Sequence, residues 1–264
     1  MENEPDRKIG RGYRLVANIG AGLVAFWLLS YLIPATRTLM LDTIPAFLIG
    51  LLVTGLLWWA AYTSIHPRCL WGWLAAAWTV ALVGSIAWGV YELVTGESLP
   101  YLSAIDVLYL ARYALILVAF WRCLCVPAGE QWIRLLMALV VGTAVVIGGF
   151  FLSVPISRQT GYWLAGAVYP ILDVGLLFVA IEARRCEPEG RLRAWLGLLA
   201  LALLAYGAAN WLNFYGQAIP FQPAADLSAL FWPLSDILVG FGVLRLFWTT
   251  SSPQAPAASR DNVS

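Results

Sequence analysis

Polar and apolar positions along this chain fall into eight apolar blocks of about 20 residues, separated by short polar segments. The blocks run near 16–33, 44–64, 70–94, 103–126, 132–154, 161–184, 192–214 and 225–248. Each is long enough to cross about 30 Å of hydrocarbon at about 1.5 Å per residue. Runs such as 135–151 lack the alternation of a barrel strand. A lipid-immersed backbone must then satisfy its own hydrogen bonds as helix. The pattern predicts an all-α, polytopic integral membrane bundle of about eight transmembrane helices. Its expected organisation is an N-terminal tail over 1–15, spans 1–4 over 16–126, spans 5–8 over 132–248, and a disordered tail over 249–264.

Composition narrows the chemistry. The chain is 61% hydrophobic and 12% charged, whereas soluble domains carry roughly 25% charged residues. Eight spans leave no room for a soluble catalytic domain, so function must sit in the bilayer. The single histidine, His66, excludes bis-histidine haem and HExxH zinc sites, and leaves no Ser/His/Asp triad. The single lysine, Lys8, precedes the first span and excludes a retinal Schiff base. No metal and no cofactor is implied, and an enzyme is not expected. A net charge of +1 argues against nucleic acid as a partner; the lipid bilayer is the partner that composition names. Gly20-Ala-Gly22-Leu-Val-Ala25 mimics a dinucleotide fingerprint, but it opens a span with no preceding strand, which points to close helix packing.

Loop charges orient the bundle. One side holds Arg7, Lys8, Arg11, Arg14, Arg68, Arg122, Arg134, Arg184, Arg185, Arg191, Arg193, Arg245 and Arg260, and the other only Arg37 and Arg158. The positive-inside rule places the first side, and both termini, in the cytoplasm of a bacterial inner membrane. The first span follows a basic segment as a signal peptide does, but Ile33-Pro34-Ala35-Thr36 offers no small-x-small cleavage site, and retention is expected. Tryptophans and tyrosines near span ends, such as Tyr31, Trp71, Tyr101, Trp132 and Trp248, fit interfacial belts. All four cysteines (Cys69, Cys123, Cys125, Cys186) fall near the cytoplasmic side, where thiols are expected, and their spacing suits zinc poorly.

The two halves share a pattern. Gly55-Leu-Leu-Trp-Trp-Ala60 matches Gly175-Leu-Leu-Phe-Val-Ala180, Trp88 falls on Trp211 and Asp106 on Asp226, at offsets of 120 to 123. Copies of four spans each keep the same orientation and are expected to be related by an axis along the membrane normal.

Polar residues recur on particular helix faces. Tyr169-Pro170-Ile171-Leu172-Asp173 and Trp232-Pro233-Leu234-Ser235-Asp236 both place a ring and a carboxylate four residues apart, hence on one face. Asp106, Tyr109 and Tyr113 do the same at i, i+3 and i+7. The element Ser103-Ala-Ile-Asp106-Val-Leu-Tyr109-Leu-Ala-Arg112-Tyr113, followed by Tyr169-Pro-Ile-Leu-Asp173, resembles the multi-span membrane input regions that precede diguanylate cyclase, phosphodiesterase or histidine kinase domains in many bacteria. The resemblance covers about residues 80–245 and implies a sensor-like bundle without chemistry of its own. This chain stops 16 residues after the last predicted span, so the expectation is that output passes through a partner protein or a membrane assembly.

Counted from the predicted outer span ends, Arg112, Asp173 and Asp236 lie about 13, 18 and 16 Å deep, all near the midplane. Each charge costs about 2.5–3.5 kcal/mol at a helix centre, so the three are expected to face one another. One expectation is an Arg–Asp clamp holding spans 4, 6 and 8 together. The other is a functional site, because one arginine meets two carboxylates. Nearer the predicted outside lie Glu92, Asp106, Asn210, Asn213 and Asp226, with Trp88, Tyr91, Tyr109, Trp211 and Trp232 among them, and Tyr113 and Tyr169 join the candidate ligand residues from the helix faces named above. Together they outline an acidic, aromatic-lined vestibule suited to a small cationic or amphipathic ligand. Asp106 and Asp226 also occupy positions that suit helix capping. A sensor or receptor is the first expectation; a proton-coupled transporter or a non-catalytic subunit of a larger complex is the alternative.

Overall fold

The computed structural model describes residues 4–32, 39–63, 67–96, 103–124, 130–153, 163–188, 190–218 and 222–251. The described residues form helices α1 (Glu4–Leu32), α2 (Leu39–Tyr62), α3 (Arg68–Thr95), α4 (Asp106–Cys123), α5 (Glu130–Ser153), α6 (Trp163–Cys186), α7 (Arg191–Ala218) and α8 (Gln222–Ser251), and contain no strand. This is an integral membrane protein. Among the described residues, four segments are long and apolar enough to cross a bilayer: Ile44–Tyr62, Arg68–Thr95, Arg191–Gly216 and Leu227–Phe247. The fourth helix falls short because Asp106, Arg112 and Arg122 share its 18 residues. Helix ends overrun the predicted spans, as at Glu4 and Ser251, because helical hydrogen bonding does not stop where the apolar block does.

Contacts close six helices into a ring in the order α2, α3, α4, α6, α7, α8 and back to α2, with α7–α8 the most extensive pair and α4–α6 the sparsest. Outside it, α1 packs on α2 and α8, and α5 packs on α6. Across the ring, the Trp71 and Trp195 rings meet edge to face with centroids 4.7 Å apart. They sit in an apolar core with Leu57, Leu70, Leu74, Leu199, Val243 and Phe247. Glycines permit close approaches on α8: a Cβ on Gly240 would lie 2.9 Å from Val53 Cγ2, and one on Gly242 2.7 Å from Trp195 Cδ1. α3 ends at Gly96, whose φ of 70° is left-handed and whose N–H donates to the Glu92 carbonyl at 2.8 Å. Trp71, placed near a span end as an interfacial residue, is instead fully buried and packs with the equally buried Trp195.

The cysteines bring a second correction. Cys69, at the start of α3, and Cys123, at the end of α4, form a disulfide with Cα atoms 5.9 Å apart, where separate thiols were expected. Antiparallel packing of α3 and α4 brings these ends together although 54 residues separate them in sequence. Cys125 lies outside the described residues.

Candidate functional site

Two tyrosine–aspartate bonds bridge α4 and α6, the neighbours in the ring that pack least. Tyr113 Oη on α4 donates to Asp173 Oδ1 on α6 at 2.6 Å, and Tyr169 Oη on α6 donates to Asp106 Oδ1 on α4. Each helix therefore gives one ring and one carboxylate. Both donors are almost fully buried, at 2% exposure for Tyr113 and 7% for Tyr169, and their rings lie 6.1 Å apart. The second oxygen of Asp106 accepts from the Ser103 N–H at 2.7 Å and the Ser103 hydroxyl at 3.2 Å. The capping role predicted for Asp106 and the interhelical bond thus coexist on one carboxylate.

The bond to Asp173 continues into a network. Asn210 Nδ2 on α7 donates to Asp173 Oδ2 at 3.0 Å and to Tyr113 Oη at 3.1 Å, while Asn210 Oδ1 accepts from Trp232 Nε1 on α8 at 3.1 Å. Every one of these groups has a partner inside the bundle, which buried polar groups require. Gly207, one turn before Asn210, makes room: a Cβ there would lie 3.1 Å from the Asp173 Cβ.

Arg112 does not clamp the aspartates directly. Its guanidinium lies between two rings, with Cζ 4.4 Å from the Trp78 centroid and 4.1 Å from that of Tyr206. No ion pair to Asp173 or Asp236 is found among the described residues, although both carboxylates lie within its electrostatic reach. This corrects the expected salt-bridged clamp: depth along a helix does not give rotation about it, and α4 turns Arg112 toward the rings of α3 and α7. The stacking is a cation–π contact, strongest where water is excluded. Arg112 is 5% exposed, and its Nη2 has no hydrogen-bond partner. Trp78 uses its other polarity on Asp236, donating from Nε1 to Oδ1 at 2.9 Å. The second Asp236 oxygen faces Gly50 of α2, where a Cβ would lie 3.4 Å away.

The structure thus joins Arg112, Asp173, Asp236, Tyr113, Tyr169, Asn210, Trp232 and Asp106 through hydrogen bonds, ring contacts and short-range charge. Tyr109, on α4 beside them, packs against α3, its hydroxyl 3.3 Å from Ser85 Oγ and its ring edge-on to Trp88 at 6.4 Å. Two predicted residues stand apart. The Glu92 carboxylate makes no hydrogen bond among the described residues, and Trp211 stacks on Tyr215 at 5.3 Å with its Nε1 unpartnered. The Asp226 side chain lies outside the described residues. Trp78 and Tyr206 were missed from sequence; the available signal was an aromatic ring buried at mid-span, at the level of the one intramembrane arginine. Among the described residues no cluster of metal-ligating side chains occurs. No family model, no curated protein and no solved structure matches this chain.

Proposed function

We propose that the protein is a sensor or receptor of the bacterial inner membrane, with eight spans and cytoplasmic termini, that binds a small amphipathic ligand at the Arg112 network and signals through a protein partner. The observation that carries this reading is the Arg112 Nη2 group, buried and without an acceptor between two aromatic faces. A buried charged donor left open costs free energy that structural packing does not recover, whereas a ligand oxygen supplies the missing acceptor. The ligand class is therefore a molecule with an acceptor oxygen on an apolar or aromatic body, flanked by Trp78 and Tyr206.

Eight spans as two parallel-oriented copies of four find support in the contact pattern. Exchanging α1–α4 for α5–α8 maps α1–α2 onto α5–α6, α2–α3 onto α6–α7, α3–α4 onto α7–α8 and α2–α8 onto α6–α4, with the α3–α7 tryptophan contact on the axis. One offset of 123 relates Tyr113 to Asp236 and Gly50 to Asp173, so the Tyr113–Asp173 contact has its counterpart in Asp236 against Gly50. A proton-coupled transporter is the second reading, favoured by two carboxylates at one level with Pro170 and Pro233 one turn before them.

Native mass spectrometry of protein released from its own membranes tests binding. Wild type is expected to carry a small-molecule adduct that Arg112→Lys loses while remaining folded, because lysine keeps the charge but not the planar, stacked donor. Adduct-free wild type, or equal loading of both proteins, overturns the site. Proton flux into liposomes that follows substrate uptake would favour the transporter over the receptor.

A further inference from the structure

The disulfide between Cys69 and Cys123 stands apart from the Arg112 network. Cys69, the second residue of α3, is exposed, whereas Cys123, the last residue of α4, is half-buried. Arg68 and Arg122 precede them directly and are both exposed. The bond joins the ends of α3 and α4 that their connecting loop leaves open, since that loop links the opposite ends. Holding α3 on α4 does not require it, because after α7–α8 these helices already form the most extensive pair in the ring. The second half of the chain makes the same point. At the offset of 123, Arg68-Cys69 falls on Arg191-Leu192 at the start of α7, and Arg122-Cys123 on Arg245-Leu246 near the end of α8. The α7–α8 pair has leucine at both cysteine positions and packs more extensively still. Two cysteines meeting where packing is satisfied by leucine point to the chemistry of sulfur.

Access and compartment say which chemistry. Exchange needs a thiolate to reach one sulfur of the bond, and Cys69 is exposed to such an attack. The Cα atoms, 5.9 Å apart, lie within the usual disulfide range of about 4.4–6.8 Å, so the backbone is already set for the bond to open and close. On the orientation proposed above, on which this inference rests, both sulfurs face the cytoplasm. There glutathione keeps thiols reduced, and the disulfides that do form are transient and either catalytic or redox-sensing. Arg68 and Arg122 add positive charge beside the pair, which favours the approach of an anionic thiol such as glutathione.

We infer that Cys69 and Cys123 form a reversible thiol–disulfide site that exchanges with small anionic thiols of the glutathione class. In oxidation the Cys69 thiolate attacks one sulfur of oxidised glutathione and breaks its S–S bond. A mixed disulfide forms on Cys69, and one glutathione thiolate leaves. The Cys123 thiolate then attacks the Cys69 sulfur and expels the second glutathione. Two protein thiols become one disulfide, one oxidised glutathione becomes two thiols, and the two protons pass to the leaving thiolates. Reduction runs the same steps backward. The closed bond ties together the helices that carry Trp78 and Arg112.

Cells producing the full chain are to be quenched in acid, and their thiols blocked before and after reduction with maleimides of two masses. Peptide mass spectrometry with fragmentation then separates Cys123 from Cys125. Thiols are expected at Cys69 and Cys123 in growing cells, and the disulfide after treatment with diamide. In purified protein the pair is expected to close in oxidised glutathione and to open in millimolar reduced glutathione. Cys123→Ser, which removes the second attacking sulfur, is expected to retain one glutathione on Cys69, and a Cys69 that takes none overturns the exchange. A bond already closed in growing cells, or one that reduced glutathione does not open, is a permanent staple and overturns the site, as does a pair that neither oxidant closes. Labelling of the reduced pair by an impermeant maleimide from outside intact cells overturns the proposal through the orientation it rests on, and leaves ligand binding at Arg112 to its own adduct test.

Discussion

The α4–α6 and α7–α8 pairs hold together by opposite means. The first has few backbone approaches and is joined by the Tyr113–Asp173 and Tyr169–Asp106 bonds. The second packs along its length, with Gly242 against Trp195 and Val239, Val243 and Leu199 fully buried. In lipid no hydrophobic force draws apolar helices together, so close packing and interhelical hydrogen bonds remain. Packing between α7 and α8 holds one rigid side of the ring. Polar bonds between α4 and α6 fix a partner and a rotation with little surface to help them. A pair held by a few bonds between side chains is also the pair whose separation the proposed ligand at Arg112 would change most readily.

The strongest way to break this contrast is Arg112→Leu, which leaves Asp173 and Asp236 without their positive neighbour. Losing one partner of a buried charge cluster costs about 3–5 kcal/mol, so this variant is expected to unfold far earlier than wild type in a thermal or denaturant titration. Tyr113→Phe removes the α4–α6 bond to Asp173 together with the acceptor of one Asn210 N–H. A hydrogen bond to a charged group contributes about 1.5–3 kcal/mol, and a double-mutant cycle with Asp173→Asn is expected to recover most of it as coupling. On the packed side, Gly242→Ala adds a methyl 2.7 Å from Trp195 Cδ1 and is expected to cost about 1–3 kcal/mol by overpacking. Its cycle with Asp173→Asn should show additivity within about 0.5 kcal/mol, because the two sites share no partner. Leu201→Ala, at an α7 position 53% exposed, is expected to change stability by no more than about 0.5 kcal/mol in the same titration. A large effect there would show a further helix packed on α7.

The helices were legible in the sequence because apolar blocks of span length leave a lipid-exposed backbone one solution. Apolarity alone does not mark α4, since Asp106, Arg112 and Arg122 interrupt it where the network lies. Charged residues also made the site legible: a carboxylate four residues from a ring, such as Tyr169 and Asp173, stands out in an apolar helix. Partners did not follow from spacing. Tyr169 and Asp173 share a face, yet their bonds go to Asp106 and Tyr113 on another helix. Uncharged contributors were invisible for a different reason. Trp78 and Tyr206 look like any membrane aromatic, and Gly50 and Gly207 matter only through what stands opposite them. The Cys69–Cys123 pairing depends on two helix ends meeting in space, which loop composition does not reveal.

Trp78 stands between opposite charges and touches both, with its face to Arg112 and its N–H edge to Asp236. An aromatic ring is negative on its face and positive at its rim, so this orientation is the one in which the indole favours the cation on one side and the anion on the other. It works as an insulator one ring wide. A contact ion pair collapses its own dipole, but charges held apart by a ring keep theirs. With Asp236 ionised, the bundle would carry a standing dipole at its centre, which rotating one side chain would discharge.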